Sequence, residues 1–303
     1  MRYFILALLI VIGCTPSKPL TPEETKAHQT EVEAWHAERI ANLKAPNGWL
    51  NLVGLHWLEP GMNTFGSDSS NALVFPQGKI ASHAGYFLVK DNTVTLVVNK
   101  GVIATVDKDT IDSRLIFHPD STRAPQVQVG DLRWNIIKRD TKLGVRLRDN
   151  NAEALKTFTT IDRYPVAAEY RVEATLEQKD SLRTIEITNV LGQTTPQRSP
   201  GTLVFELEGK TYRLDALAEG DELFIIFADA TSGTETYGAG RFVYAQKPIA
   251  NEKVILDFNK AYNPPCVFTP HATCPLPPKQ NVLPIAIRAG EKNYSNAVMH
   301  AAN

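Results

Sequence analysis

Residues 223–248 read LFIIFADATSGTETYGAGRFVYAQKP, and residues 254–291 read VILDFNKAYNPPCVFTPHATCPLPPKQNVLPIAIRAGE. Apolar runs rich in Phe, Ile and Val are bounded by Gly, Pro, Asn and Asp. Runs of four to eight residues with such boundaries are strands, being too short for buried helices. The loops between them are chemically dense. They gather Asp229, Tyr237, Arg241, Asp257, Asn259, Asn263 and His271 close together in sequence. A functional site, if the chain has one, is expected here.

The same texture runs back to Gly48. Strands are expected near Leu50–Leu58, Leu73–Phe75, Tyr86–Val89, Val94–Val98, Val102–Val106, Leu115–His118, Val127–Val129, Arg133–Arg139 and Val145–Leu147. After a helix-favouring stretch from Asn150 to Phe158, strands resume at Val166–Leu176 and continue to Val282–Ile287. That pattern predicts a mainly β fold: two β-sandwich or barrel-like subdomains, or one large sandwich, preceded by one N-terminal helix. The expected boundaries are 47–160 for the first subdomain and 161–295 for the second, which holds the motif-rich loops.

The helix is expected over Pro22–Lys44. Thr21, Pro22 and Glu24 supply a capping residue, a first-turn proline and the acid that closes a capping box. Val32, Trp35, His36, Ile40 and Leu43 recur on one face, and Pro46 ends the helix. His36 and His56 read as packed histidines rather than ligands. Trp49 and Trp57 read as core of one strand rather than a sugar-stacking platform.

Ahead of the helix, Arg2 precedes an apolar run from Tyr3 to Ile12 that ends in Gly13-Cys14. About ten apolar residues make roughly 15 Å of helix, half of a bilayer core. Residues 1–13 therefore read as a signal peptide, with 14–46 a lipidated tether and helix. Val11-Ile12-Gly13-Cys14 resembles the lipobox of bacterial lipoproteins. It implies a lipid-bearing Cys14, a membrane partner through that anchor, and a place in the cell envelope. Thr15 in the following position points to the outer membrane, facing the periplasm. With a formal net charge of -1, the chain has no basic field to attract nucleic acid.

Cys266 and Cys274 remain. In an oxidising envelope such a pair reads first as a disulfide, which would close a short loop and stabilise by about 2.6 kcal/mol. Free thiols are the rival. A metal site using His271 is the weaker one, because no pattern supplies the other ligands. Neither metal nor cofactor is expected.

No GxSxG elbow, HExxH, P-loop or complete GxGxxG is present. Asp229 and Asp257 could form an acid–base pair, Arg241 could hold an anion, and Tyr237 could orient it. The competing reading is structural. Asp and Asn beside Gly and Pro cap turns, and Asp257 with Arg241 could be an ion pair that fixes the loops. Two functions stay open: a binding domain for a small molecule, glycan or partner, and a hydrolase-like enzyme using the Asp/Tyr/Arg/Asn cluster.

Two motif regions carry a family resemblance. One is GWLNLVGLHWLEPG at 48–61 followed by FGSD at 65–68. The other comprises TSG at 231–233, TYG at 236–238, GRF at 240–242, DFN at 257–259, YNPPC at 262–266, CPLPP at 274–278 and AGE at 289–291. Over nearly the whole mature chain the sequence resembles the bacterial and archaeal family called domain of unknown function 1684, a resemblance that implies no particular activity. Phe65-Gly66-Ser67-Asp68, Asn71 to Pro76 and Ser82-His83 also resemble forkhead-associated domains, β-sandwiches that read phosphothreonine. Ser67 stands where those domains place an Arg, and Ser82 and His83 are adjacent rather than two residues apart. The likeness supports a β-sandwich and little more.

Overall fold

A computed structural model describes residues 21–178, 183–249 and 252–294. Residues 1–13, expected as a signal peptide, and Cys14 lie outside the described residues. The molecule is mainly β with one long helix, Pro22–Lys44, near its N-terminus. That helix begins as its first residues dictate. The Glu24 amide donates to Thr21 Oγ1 at 3.2 Å while the Thr21 amide donates to the Glu24 carboxylate at 2.7 Å, and Pro22 occupies the first turn. Three of the donors a helix start leaves unpaired are thus met or removed.

Residues 52–149 form a sandwich of two sheets, one of six strands and one of five. Alternation assigns the faces. On Leu132–Arg139 and its antiparallel partner Lys142–Asp149, the residues Leu132, Trp134, Ile136, Leu143, Val145 and Leu147 point into the core. Trp134 packs there edge-on against Phe65, Phe75 and Phe87. The opposite face carries Arg133, Asn135, Gly144, Arg146 and Arg148, cross-strand neighbours of one another. A sheet with one face this basic has to put those guanidinium groups somewhere, and they turn toward the second half of the chain.

That second half is a six-stranded antiparallel sheet built from residues 171–257. Its two edge strands, Arg241–Gln246 and Val254–Asp257, approach each other, so the sheet curls nearly into a barrel. Leu223, Ile225, Phe227, Val243 and Ala245 fill its interior. Period two sends Phe224, Phe242 and Tyr244 outward, where a free-standing barrel would carry polar residues. The hairpin Thr184–Thr188 and Thr194–Arg198 stands apart as its own two-stranded sheet.

The halves meet through the helix and the 266–274 loop. Thr269 Oγ1 donates to the Leu52 carbonyl at 2.8 Å, covering the edge of the first sheet. Leu43, Leu50, Phe158, Val267 and Phe268 bury a small junction core.

Two expectations are corrected and one strand is added. The strand containing His56 begins at Leu52, so Trp49 sits in the preceding turn, half-buried, rather than in a strand with Trp57. Residues 282–287 form no regular strand, because Pro284 has no amide to donate. Instead Leu283 bonds Ala228 and Ala230 bonds Ile285 in an irregular seam. Gly61–Gly66 is a strand despite its two glycines.

Candidate functional site

The residues singled out in the C-terminal loops fall into three networks. The first is centred on Arg241, which is fully buried. Its guanidinium meets Asp229 at 2.8 Å and donates to the carbonyls of Ile287, at 2.9 Å, Ala289 and Glu291, at 3.2 Å. Asp229 in turn accepts from the amide and hydroxyl of Thr231. Every strong bond of this pair is spent inside the protein. Glu291 continues the network: it accepts from the Asn263 amide at 2.7 Å and lies 3.3 Å from Arg39 Nε of the helix. Burial pushes its carboxyl up, opposed by Arg39 and the Asn263 amide. The Asn263 side chain donates to the Lys292 carbonyl.

Asp257 belongs to a second network. Its carboxylate takes His28 of the helix at 2.7 Å and the amide and side chain of Asn259, whose own side chain bridges the backbone of Ala167. Among the described residues no side-chain hydrogen bond joins it to the Asp229–Arg241 pair. The expected Asp257–Arg241 pair is therefore replaced by two pairs, Asp229–Arg241 and His28–Asp257. The carboxylates considered for acid–base work do not share one site.

The third network holds Tyr237, whose hydroxyl lies 3.7 Å from Cys266 Sγ, and Cys274, whose Sγ accepts the Cys266 amide at 3.0 Å. Both cysteines are buried free thiols, so the expected disulfide is not formed. Contact with the Cys274 thiol and the Tyr237 hydroxyl holds Cys266 below its ordinary range, while the same contact and burial push Cys274 up. The two thiols stay reduced side by side, tied by the Cys266 amide. His271 stands apart, half-buried near His56, and burial lowers both imidazoles. Among the described residues no group of three or more His, Cys, Asp or Glu is placed to hold a metal ion.

The open space lies elsewhere, where helix, sandwich and barrel converge. A cleft of about 620 Å³ is walled by Trp35 and Arg39 of the helix, Trp49 of the following turn, and the outward rings of the barrel. Tyr244 and Tyr262 stack in parallel, 6.2 Å apart and 10° from coplanar, and Phe224 stacks on Tyr244 at 4.9 Å. Arg39 lies 4.6 Å from the centre of the Tyr262 ring. Burial raises both tyrosine hydroxyls, which stay protonated.

Across from that wall stands Arg146, over the Trp49 ring at 5.5 Å. It has no acceptor among the described residues, and its Nε is buried without a partner. Burial and the neighbouring charges of Arg139 and Arg148 lower its guanidinium to about 10, so it stays charged at neutral pH. A second hollow of about 470 Å³ adjoins the cleft through Trp35, Tyr244 and Tyr262 and reaches Asp257 and Lys260.

Sequence reasoning missed His28, Arg39 and Arg146. His28, Val32, Trp35 and Arg39 share one helical face by spacing, a stripe readable once polar residues are allowed onto it. Arg146 gave no local sign, because its role depends on which face of the sheet meets the barrel.

No curated protein matches the chain. Among solved structures it is similar to an uncharacterised protein of Haloarcula marismortui, at 30% identity over 46% of this chain and 80% of that one, with a TM-score of 0.39. It is also similar to the FHA-2 domain of an ABC transporter from Mycobacterium tuberculosis, at 14% identity over 48% of this chain and 96% of that one, with a TM-score of 0.22. A third likeness is to the FHA domain of FhaA complexed with an intracellular domain, at 12% identity over 31% of this chain and 97% of that one, again with a TM-score of 0.22. Likenesses this distant say nothing about a ligand. Residues 156–292 match the family model described as Protein of unknown function (DUF1684). The span takes in all the C-terminal motifs and leaves residues 48–61 outside it. The 231–291 motifs are thus the scaffold that Arg241, Asp257 and Glu291 hold together, and through them the chain belongs to the DUF1684 family.

Proposed function

We propose that this chain is a lipid-anchored cell-envelope protein whose interdomain cleft binds a small flat ligand, an aromatic molecule or a sugar ring. The observation that carries the binding reading is the wall of outward-facing rings, Phe224, Tyr244 and Tyr262, opposite Trp35 and Trp49 in a cleft of about 620 Å³. Pockets of this size lined by aromatic faces and a few polar groups suit small molecules. Phe224, Phe242 and Tyr262 also pack against a small apolar cluster with Ile187, Leu217 and Ile226, and it is their faces left toward the cleft that a ligand would cover. The hydrolase reading has less support, since Asp229, Asp257 and Arg241 are buried and already bonded.

A thermal-shift screen of aromatic acids, nucleosides and oligosaccharides should yield compounds that raise the melting temperature of the wild type. Trp49→Ala should weaken their binding about fivefold, since a ring stack contributes about 1 kcal/mol. Compounds whose binding ignores Trp49→Ala and Tyr262→Ala would place the site elsewhere.

The envelope reading rests on Val11-Ile12-Gly13-Cys14. Stable anchoring by acyl chains follows from about 0.8 kcal/mol per buried CH₂, and the outer membrane facing the periplasm is the proposed location. Cys14→Ser should move the protein from the membrane fraction to the soluble one; unchanged fractionation and lipid labelling would overturn the anchor.

A further inference from the structure

Within the cleft, Arg146 is the group whose chemistry is unfinished. Its aliphatic stem rises from the middle of Lys142–Asp149, directly between Leu55 and Asn135 on the flanking strands. The guanidinium lies across Trp49 and lines the cleft. The other wholly or partly buried arginines described above have acceptors: Arg241 binds a carboxylate and three carbonyls, Arg39 binds Glu291 and the Asn263 carbonyl, and Arg148 binds the Asn47 carbonyl. Arg146 has none. The charges that act on it are Arg139 and Arg148, both of its own sign. Arg133, Arg146 and Arg148 on the same sheet face leave a buried Nε without a partner, as does Arg241; what sets Arg146 apart is that its terminal nitrogens face the cleft and meet no acceptor among the described residues.

Arg146 is half-buried: its Nε is shut away unpaired while the rest of the fork faces the cleft, and holding a partly desolvated charge among like charges is unfavourable. A folded protein keeps such a group where an anion arrives to complete it. We propose, resting on the reading of the cleft as a ligand site, that its ligand is an anion: a flat apolar or aromatic body carrying a carboxylate or phosphate head that binds Arg146. The planar guanidinium matches either oxyanion with two parallel N–H donors. The rings of Trp49, Tyr244 and Tyr262 then take the body of the molecule. Glu38 and Glu219 also line the cleft. Glu219 accepts the Tyr244 hydroxyl at 2.9 Å, and a carboxylate beside that wall disfavours an anionic head there. The head is thereby directed to the Arg146 side.

The test compares 2-naphthoate with its neutral isostere 2-naphthamide by titration calorimetry on the full chain, with 1-naphthyl phosphate as a third probe. Naphthoate should bind the wild type about ten- to a hundredfold more tightly than naphthamide, the span expected for a charged hydrogen bond. Arg146→Met should erase that ratio while leaving the naphthamide affinity within about twofold. Its melting temperature should stay within a few degrees of the wild type, because the guanidinium has no hydrogen-bond acceptor to lose and methionine still packs on Trp49. Trp49→Ala should weaken both. A stronger response to the phosphate assigns a phosphate head, and a stronger response to naphthoate a carboxylate. Equal binding of naphthoate and naphthamide, lost in Trp49→Ala, would overturn the anion while sparing the cleft. No binding of any probe at millimolar concentration would overturn both.

Discussion

Arg241→Ala should destabilise the protein by about 3–5 kcal/mol, the loss seen when one member of a buried ion pair is removed. For a chain of this size that amounts to a fall in melting temperature of roughly five to eight degrees. The magnitude follows from what is left behind. Asp229 would be a buried carboxylate without its counter-charge, and the carbonyls of Ile287, Ala289 and Glu291 would each lose a donor. Arg241→Lys should recover only part of the loss, since one ammonium cannot reach all four acceptors from the fork's positions. Thermal denaturation followed by circular dichroism reads the effect, with Arg146→Met as the matched control in which a half-buried arginine has no acceptor to abandon. If Arg241→Ala and Arg146→Met melt within two or three degrees of each other, the Asp229–Arg241 pair does not hold the C-terminal segment.

The fold class was readable because strand and helix periods are local properties. Thr21, Pro22 and Glu24 announce a capping box whatever surrounds them, and the alternation in Leu223–Phe227 forces one side of the strand inward. What local pattern cannot report is what lies opposite the outward side. Phe224, Phe242 and Tyr244 read as strand residues of unassigned face, and only the placement of the helix and the sandwich against the barrel turns them into a wall. Arg146 is the sharper case. In sequence it is one of three arginines in the run 139–148, indistinguishable from a solvated charge.

The loop motifs misled in an instructive way. Asp229, Arg241, Asp257 and Asn263 are polar residues in Gly- and Pro-rich loops, the setting in which catalytic groups are also found. Their partners are backbone carbonyls and a helix some 230 positions earlier, as in the His28–Asp257 contact. Sequence proximity suggested one cluster where the chain builds several clasps. For the cysteines, the eight-residue separation permits a bridge, but Tyr237 and the Cys266 amide satisfy the two sulfur atoms as thiols instead.

Gly290→Ala should be nearly as damaging as the loss of Arg241, and Gly192→Ala separates the two reasons. Both glycines have a φ of +76°, a left-handed conformation that disfavours any L side chain by about 1 kcal/mol. At Gly192 a Cβ would meet nothing within 4 Å. At Gly290 it would press into the Ala261 carbonyl oxygen, stand 2.8 Å from that of Phe258, and touch the Ala261 methyl at 2.9 Å. Neither side can yield. The carbonyls flanking Gly290 are both held by Arg241, its own carbonyl accepts from the Tyr164 amide at 2.9 Å, and the Glu291 amide donates to Ala261 at 2.8 Å. Overpacking against fixed backbone adds about 1–3 kcal/mol to the conformational term. Gly192→Ala should therefore lower stability by about 1 kcal/mol and Gly290→Ala by about 3 kcal/mol, measured by denaturant unfolding of the two variants side by side. The excess at Gly290 is the close approach alone. Equal losses at the two positions would mean that the 287–291 segment shifts freely, and that the clasp built by Arg241 and Glu291 is looser than its hydrogen bonds imply.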